Sequence, residues 1–292
     1  MTILDGKKIA QQIRSELRNE IVQIIQKKKR VPCLAIVMVG HNPASETYVA
    51  NKIKACTEVG ILALQIVFEE TISEQDLLRE IHRLNANDAI DGFIVQLPLP
   101  AHISEAHITA AIDYQKDVDG LTPENVGRTI LGLPSIISAT PRGICELLAH
   151  YQIDTDGKHV VIIGRSNIVG KPLANVLIQK QIGGNATVTL CHSHTQNLRE
   201  ICLSADIIIV ATGHPHLLTA DMVRNGVTVV DVGINRIEDP SCAKGYRLVG
   251  DVDYTEVSAK AAFITPVPGG VGPMTIAALL QNTLQAFHNH TR

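Results

Sequence analysis

Several features that mark common protein classes are missing from this chain of 292 residues. No apolar run is long enough to cross a bilayer, and the N-terminus lacks the basic-then-apolar order of a signal peptide. A net charge of −3 gives no support for a nucleic-acid partner. There is no C-x-x-C pair, so a disulfide framework or a zinc site is not indicated, and we expect a cytoplasmic protein with reduced cysteines. The cysteines lie far apart, at Cys33, Cys56, Cys145, Cys191, Cys202 and Cys242.

Two kinds of cluster that could suggest polyanion or metal binding have simpler explanations. The basic run at 27–30 follows a helical pattern, and cations at a helix C-terminus complement its dipole, so we expect a solvated helix end. The paired histidines at 192/194, 214/216 and 288/290 lack acidic or thiol companions, so we expect no metal site.

Acidic residues are absent between Gly157 and Arg199, and this stretch contains a strand–glycine–helix pattern. A β-branched run ends in Gly164, and a helical pattern opens after Gly170. Such a turn aims free backbone N–H groups and the positive end of a helix at an anion. The spacing is G-x-x-x-x-x-G rather than G-x-G-x-x-G, and glycine turns also occur in proteins that bind no nucleotide.

The residues that follow the next predicted strand favour a phosphate over a ribose hydroxyl. An NAD-type site places a carboxylate about 20 residues beyond the turn, on the ribose 2′-hydroxyl. Here the strand is followed by His192, Ser193 and His194. A hydroxyl and imidazoles, with Arg165 opposite, would suit a 2′-phosphate. The stretch therefore predicts an NADP site.

Apolar strands and amphipathic helices alternate along the chain. The predicted strands cover residues 33–39, 62–68, 92–96, 160–163, 186–191, 207–210 and 227–232. The predicted helices cover residues 9–24, 42–59, 73–84, 104–112, 140–151 and 274–288. This order predicts an α/β fold with parallel sheets covered on both faces. Breaks at 120–123 and 132–138 indicate two domains with a cleft between them: an N-terminal parallel-sheet substrate domain and a C-terminal Rossmann-like domain.

Tyr48 and Lys52 are four residues apart on a predicted helix and therefore share one face. The pair could present an aromatic platform beside a proton-transfer group. A half-buried tyrosine beside a surface lysine would give the same spacing.

Polar residues also follow the predicted strand at 92–96. Ligands of parallel α/β proteins bind beyond the C-terminal ends of the strands, where Gln96 should lie, although an ordinary strand exit has the same pattern. The prolines at 98 and 100 stiffen this loop, and one X-Pro bond could be cis. Asp117 and Asp119 could accept paired hydrogen bonds from a heterocycle, or form an Asx turn before Gly120. Two aspartates without further ligands make a metal site a weak alternative.

The segment at 266–275, PVPGGVGPMT, is too long and unusual for a simple linker. Its glycines let the backbone approach a flat ligand closely, and its prolines fix the path of the chain. It also leads into a helix N-terminus, which favours a binding loop.

Seven segments in matching order resemble the bifunctional methylenetetrahydrofolate dehydrogenase/methenyltetrahydrofolate cyclohydrolase family, and they cover nearly the whole chain. They are YVANK at 48–52, VQLPLP at 95–100, KDVDG at 116–120, TPRG at 140–143, GRSNIVGKP at 164–172, DVGIN at 231–235 and PVPGGVGPMT at 266–275.

The resemblance implies NADP-dependent oxidation of 5,10-methylenetetrahydrofolate, followed by hydrolysis of the methenyl product to 10-formyltetrahydrofolate. It implies a folate substrate, no membrane partner and a homodimer. Because the family's last helix packs back on the first domain, it also implies that the folate domain is discontinuous, at 1–138 and 274–292, with the NADP domain at 139–273.

The resemblance further assigns roles residue by residue. Lys52 transfers protons, Gln96 orients it, Tyr48 stacks on the folate and Asp119 grips the pterin. The substrate set also includes Leu97, Pro98, Pro268, Gly269 and Gly270. The cofactor set is Gly164, Arg165, Ser166, Ile168, Gly170, Ser193, Thr212, Gly213 and Ile234.

The chain departs from the family pattern at Ser138 and Ala139, which bear on the hinge between the two domains. It also departs at His214, which leaves one cofactor contact open. Shikimate-type dehydrogenases are an alternative, since they also join a lysine-bearing α/β domain to an NADP domain. The segments at 95–100 and 266–275 and the lack of a Gly-Ala-Gly-Gly turn argue against it. A non-enzymatic regulator is the other alternative, but it has no reason to keep Lys52.

Overall fold

The computed structural model describes residues 1–27, 30–240 and 245–291, apart from the side chain of Ala44. The predicted state of Cys242 and the part of the basic run at Lys28 and Lys29 therefore lie outside the described residues. Among the described residues, none of the helices combines the length and apolar character that a membrane span needs.

The strands and helices alternate over most of the chain. In order they are β1 (Thr2–Ile3), α1 (Gly6–Gln26), β2 (Cys33–Val39), α2 (Pro43–Val59), β3 (Leu62–Phe68), α3 (Glu74–Asn85), β4 (Gly92–Val95), α4 (Glu105–Ala111), α5 (Pro123–Ile130), α6 (Ala139–His150), β5 (His159–Ile163), α7 (Gly170–Leu177), β6 (Thr187–Cys191), α8 (Leu198–Leu203), β7 (Ile207–Val210), a 3₁₀ turn (Ala220–Met222), β8 (Thr228–Asp231), β9 (Asn235–Glu238), β10 (Tyr246–Val249), α9 (Tyr254–Ser258), β11 (Phe263–Ile264) and α10 (Val271–His290).

The chain forms two compact units. The Lys52 unit consists of Gln11–Ala139 and Ile276–Arg292, and the Gly164 unit of Met1–Ala10 and Thr140–Thr275. The sequence analysis placed the first ten residues with Lys52. In the structure they belong to the Gly164 unit, because β1 pairs in parallel with β11.

The Lys52 unit is built on a parallel sheet of three strands in the order β3-β2-β4. The central strand β2 is buried along its whole length, since helices cover both of its faces. Alternate residues of β2 point to opposite faces: Leu34, Ile36 and Met38 pack in one cluster, and Ala35 and Val37 in another. The first cluster includes residues from the C-terminal helix α10.

The Gly164 unit contains a six-stranded parallel sheet in the order β1-β11-β8-β7-β5-β6, and a separate antiparallel pair of β9 and β10. After β5 the chain adds β6 on one side and then crosses to add β7 on the other. The strand order therefore reverses beside β5. Crevices of this kind, beyond the carboxyl ends of the strands, are where doubly wound sheets bind ligands.

Three elements differ from the sequence-based expectations. Helix α5 occupies part of the predicted break, where Thr122 caps the helix and Pro123 takes its first position. The β9–β10 pair was not predicted, because its strands are short and carry charged residues. Helix α10 begins at Val271 rather than Met274, since Pro273 is tolerated in a first turn whose N–H groups have no helical partner.

An ion pair between a buried aspartate and a partly exposed arginine connects the sheet to the C-terminal helix of the Lys52 unit. Asp91 is fully buried and accepts hydrogen bonds from Arg30 Nη1 (2.7 Å), Arg30 Nη2 (2.6 Å) and the Cys33 amide (2.8 Å). The guanidinium of Arg30 lies 5.1 Å from the ring centre of Phe287, on α10. One carboxylate thus organises the start of β2 and the packing of α10.

We expect Asp91→Ala to lower the free energy of unfolding by about 2 kcal/mol, because it removes the acceptor of the Arg30 guanidinium and leaves the buried Cys33 amide without its partner. Urea unfolding followed by circular dichroism measures the change. The control is Arg83→Ala, which removes an exposed pair with Glu80 and should cost less than about 1 kcal/mol. Equal losses for the two variants would contradict the role given to Asp91.

Candidate functional site

Lys52 and Gln96 are brought together by the sheet of the Lys52 unit. The amide of Gln96 donates to Val37 O (2.8 Å), which places its side chain just beyond the end of β4. The side-chain amide donates to Leu97 O (2.8 Å), so its oxygen is the atom that faces Lys52. Lys52 Nζ donates to this oxygen at 3.1 Å. The ammonium group is thereby held at a strand end, where ligands of such sheets bind.

Tyr48 occupies the same face of α2 as Lys52, one turn earlier. Between them Val49 is fully buried, which fixes the rotation of the helix against the sheet. The side chain of Tyr48 remains 44% exposed, so its ring is free to contact a ligand. Tyr48 and Lys52 therefore lie one turn apart on α2, with the tyrosine ring exposed.

The two candidate aspartates have different environments. Asp117 is buried, and its Oδ2 accepts hydrogen bonds from the Thr122 amide (2.7 Å) and Asn125 Nδ2 (3.0 Å). It therefore stabilises the start of α5, a role that the sequence analysis did not predict. The carboxylate of Asp119 accepts no hydrogen bond from the described residues. Burial raises the pKa of Asp119, and Asp117 adds to this effect while the nearby charge of Lys52 opposes it.

The position of Asp119 depends on close backbone packing. Gly120 has a φ of +68°, and a Cβ there would lie 2.6 Å from the Ser138 amide nitrogen. The Asp119 carbonyl accepts from the Ala139 amide (3.3 Å), so residues 138–139 form the wall behind this loop. Asn282 on α10 donates to Val118 O (2.8 Å) and Ile137 O (2.9 Å), which joins the two segments.

The other residues predicted to bind substrate are divided between the units. Leu97 and Pro98 follow Gln96 directly, and the peptide bond between them is cis, as the proline-rich loop allowed. Pro268, Gly269 and Gly270 belong to the Gly164 unit, where they line a cavity of about 120 Å³ together with Ile234.

The predicted glycine turn is present at the reversal of strand order in the Gly164 unit. Gly164 has a φ of +123°, and a Cβ there would lie 2.1 Å from Ala211 O at the end of β7. A Cβ on Gly170 would lie 1.9 Å from Gly164 O. Both glycines are therefore required by close backbone approach, and they form a cradle that leads into α7. Ser166 Oγ accepts from the Val169 amide (3.2 Å), while Ile168 on the same turn is exposed.

Basic and hydroxyl groups flank this cradle. Ser193 and His194 are exposed just after β6, and the His194 amide donates to His192 Nδ1 (3.2 Å). Desolvation lowers the pKa of His192, and the nearby positive charge of Arg165 lowers it further. Arg165 is therefore within electrostatic reach of the residues that follow β6, as the predicted 2′-phosphate site requires.

Thr212 and Gly213 follow β7, the strand next to β5. Gly213 is exposed with a φ of +71°, and the His214 amide donates to Thr212 Oγ1 (3.2 Å). The cofactor residues of the sequence analysis therefore lie at the carboxyl edge of one sheet, and Ile234 follows β8 at the same edge, beside the cavity.

Two family models match almost the whole chain. The tetrahydrofolate dehydrogenase/cyclohydrolase catalytic domain matches residues 4–119, and the NAD(P)-binding domain of the same family matches residues 138–291. The chain belongs to the tetrahydrofolate dehydrogenase/cyclohydrolase family.

Relatives of this family align over nearly their full length. The bifunctional protein FolD of Porphyromonas gingivalis is 54% identical, covering 97% of this chain and 96% of the relative. The crystal structure of the bifunctional enzyme FolD from Campylobacter jejuni is 49% identical with a TM-score of 0.93, covering 99% of each chain. The FolD structure of Trypanosoma brucei, complexed with NADP cofactor and inhibitor, is 37% identical with a TM-score of 0.94, covering 100% of this chain and 99% of that one.

Family membership confirms the predicted α/β fold of two domains and the predicted enzyme class. The chain is a bifunctional methylenetetrahydrofolate dehydrogenase and methenyltetrahydrofolate cyclohydrolase. The shikimate-type and regulator alternatives are set aside by this match. The roles of the single residues stay predictions.

The sequence analysis missed Asn282 and the buried pair Asp231 and Asp251. Asp231 stood within a quoted segment, but a short apolar strand ending in aspartate gives no sign that its carboxylate turns inward. Asn282 lies in a helix whose pattern predicts only apolar packing.

Replacing Arg165 with Ala should raise the KM for NADP by about tenfold or more and leave the KM for NAD within about twofold. The reason is that only NADP carries the 2′-phosphate to which we assign Arg165. Initial rates with each cofactor measure the difference. Lys158→Ala removes a positive charge from the same acid-free stretch, but at the opposite end of β5, and should change neither value. Equal losses of NADP and NAD for Arg165→Ala would place the 2′-phosphate elsewhere.

Proposed function

We propose that this enzyme, which oxidises 5,10-methylenetetrahydrofolate with NADP and hydrolyses the methenyl product to 10-formyltetrahydrofolate, uses Lys52 as the proton-transfer residue. The hydrogen bond of 3.1 Å between Lys52 Nζ and Gln96 Oε1 carries the assignment of Lys52. It fixes an amine at a strand end beside an unused carboxylate, and general acid–base chemistry requires a group held within reach of the reacting atoms. The relative from T. brucei, complexed with NADP, supports the same cofactor here.

The glycine cradle fits a dinucleotide. The close approach at Gly164 and Gly170 leaves no room for side chains, so backbone can lie against a diphosphate at the start of α7. Arg165, Ser166 and Ser193 would hold the 2′-phosphate, and Thr212, Gly213 and Ile234 would border the remaining part. NADP supplies the acceptor for the hydride that leaves the methylene carbon.

The first step, hydride transfer, requires alignment of the folate with the cofactor more than it requires a base. Loss of hydride leaves a cationic amidinium on the folate, and no proton need move. Tyr48 would stack on the folate, while Asp119 would accept hydrogen bonds from the pterin. The carboxylate of Asp119 has acceptor capacity for this purpose, because no described residue donates to it.

Hydrolysis requires proton transfer. Water attacks the methenyl carbon and loses a proton, a ring nitrogen gains one, and the bond between that nitrogen and the carbon breaks. An amine accepts a proton only in its neutral form and can then return it. Gln96 Oε1 would keep Lys52 Nζ directed at the reacting atoms during both transfers, since its own amide is fixed on Leu97 O.

We expect Lys52→Met to lower the cyclohydrolase rate by at least about 10²-fold, because the substituted side chain cannot carry a proton. The measurement is hydrolysis of 5,10-methenyltetrahydrofolate by absorbance, with circular dichroism to establish that the fold is kept. Lys54→Met is the matched control, since Lys54 lies on the same helix and is exposed. Hydrolysis by Lys52→Met at a rate near that of the wild type would refute the assignment.

We propose a homodimer formed at the edge of the smaller sheet. Among the described residues, β3 pairs with β2 alone, which leaves one edge of β3 without a strand partner. Leu62, Leu64 and Val67 on this strand are 50%, 38% and 43% exposed. An exposed, apolar edge strand favours association with a second copy.

Leu64→Lys should shift the protein to monomer, because the ammonium would have to be buried in the proposed interface. Sedimentation velocity over a range of concentrations measures this. Ile178→Lys places the same charge at an exposed apolar residue of the Gly164 unit and should leave the dimer intact. A dimer that both variants retain would require another interface, and a monomeric wild type would rule out the dimer.

We further propose that the protein works in the cytoplasm without a nucleic-acid partner. Five of the cysteines are free in the structure, which suits a reducing compartment. The net charge of −3 does not favour binding of a polyanion such as a nucleic acid.

A further inference from the structure

A single buried carboxylate joins two loops at the carboxyl edge of the larger sheet. Asp251 follows β10 and is fully buried. Its Oδ2 accepts hydrogen bonds from the Thr212 amide (2.6 Å), Thr212 Oγ1 (2.9 Å) and the Gly213 amide (2.9 Å). Its Oδ1 accepts from Asn235 Nδ2 (2.8 Å), at the start of β9. The loop after β7 and the loop after β8 are therefore fixed on the same group.

A second buried carboxylate, that of Asp231, holds the backbone around Asp251 in place. Asp231 is 3% exposed at the end of β8, and its Oδ1 accepts from the Gly233 amide (2.9 Å) and the Asp251 amide (2.9 Å). Its Oδ2 accepts from the Val252 amide (2.9 Å). The backbone around Asp251 is thus held from β8, independently of the loops that the Asp251 side chain holds.

Glycines make this arrangement possible. A Cβ on Gly233 would lie 2.2 Å from Asp251 Oδ1, and a Cβ on Gly250 would lie 1.8 Å from Asp231 Oδ2. Neither position has a positive φ, so the need for glycine there is space and not backbone strain. The loops are shaped around the two carboxylates.

Burying two carboxylates is expensive, and neither forms an ion pair with the described residues. Burial raises the pKa of Asp231 to about 6. Stability alone favours apolar residues or single amide contacts in such a place. A carboxylate does what an apolar residue cannot, because each of its oxygens accepts several hydrogen bonds and so sets the relative position of separate loops.

We propose that Asp251 is a positioning residue that holds the Thr212–Gly213 loop and Asn235 in the arrangement that receives the nicotinamide cofactor. The inference rests on the proposed placement of NADP at the edge where β5 and β7 meet. Gly213 is exposed there, and its amide and that of Thr212 are both turned inward to Asp251. The outer side of the loop, at the exposed Gly213, is then presented to the ligand in one conformation.

The two reactions of this enzyme separate such a role from general stability. Oxidation consumes NADP, whereas hydrolysis of the methenyl substrate needs only water. A residue that positions the cofactor loop affects the first reaction through the KM for NADP and spares the second. A residue that only stabilises the Gly164 unit lowers both in proportion to the amount of folded protein.

The test compares Asp251→Ala and Asp251→Asn with the wild type. The alanine variant leaves four donors without an acceptor, and the KM for NADP should rise by about tenfold or more. The asparagine variant keeps one acceptor oxygen at nearly the same volume, so it should restore part of this loss. Cyclohydrolase turnover, measured without NADP, should stay within about twofold of wild type for both. Arg165→Ala is measured in parallel.

The outcomes are distinct. If Arg165→Ala raises the KM for NADP and neither Asp251 variant does, the cofactor site stands and the positioning role is wrong. Parallel loss of both activities in the Asp251 variants would leave a purely structural role. If Arg165→Ala has no effect on NADP, the proposed cofactor placement itself fails. Should the alanine variant not fold, the asparagine variant decides, with an NADP-specific rise in KM of about threefold or more supporting the proposal.

Discussion

A parallel sheet delivers the carboxyl ends of its strands, and the loops that follow them, to one edge. The positions of the proposed site residues that follow strands depend on this constraint. Gln96 follows β4, Gly164 follows β5, Ser193 follows β6 and Thr212 follows β7. The strands themselves are almost entirely apolar, so their burial fixes the edge and leaves the loops to vary.

Carboxylates then hold the loops in place. The hydrogen-bond partners of each carboxylate indicate its role. Asp91 pairs with Arg30 and stabilises the packing of the Lys52 unit. Asp117 accepts from the residues that begin α5, and Asp251 accepts from two loops at once. Asp119 differs, since no described residue donates to its carboxylate. A carboxylate with acceptor capacity left beside an amine is suited to a ligand, whereas the satisfied ones are suited to structure.

Much of this was predictable because the signals are local. Apolar runs predicted β2, β3 and β7 with their observed bounds, and helical patterns predicted α3 and α4, whose caps in the structure are Ser73 and Ser104. The glycine turn at 164–170 was also local. The rest depends on contacts between residues distant in sequence. The pairing of β1 with β11, the inward carboxylate of Asp251 and the bonds of Asn282 to the loop before Asp119 cannot be inferred from spacing. Only the fold decides which of two neighbouring aspartates, 117 or 119, is left unused.

The central claim is that one chain carries both reactions and uses NADP. The most direct measurement is to mix the purified protein with 5,10-methylenetetrahydrofolate and NADP⁺ and to follow NADPH and the methenyl compound separately, with NAD⁺ in a parallel reaction. The account predicts NADPH formation without lasting accumulation of the methenyl compound, and slower turnover with NAD⁺. Accumulation of the methenyl compound, or no NADPH from folded protein, would contradict it.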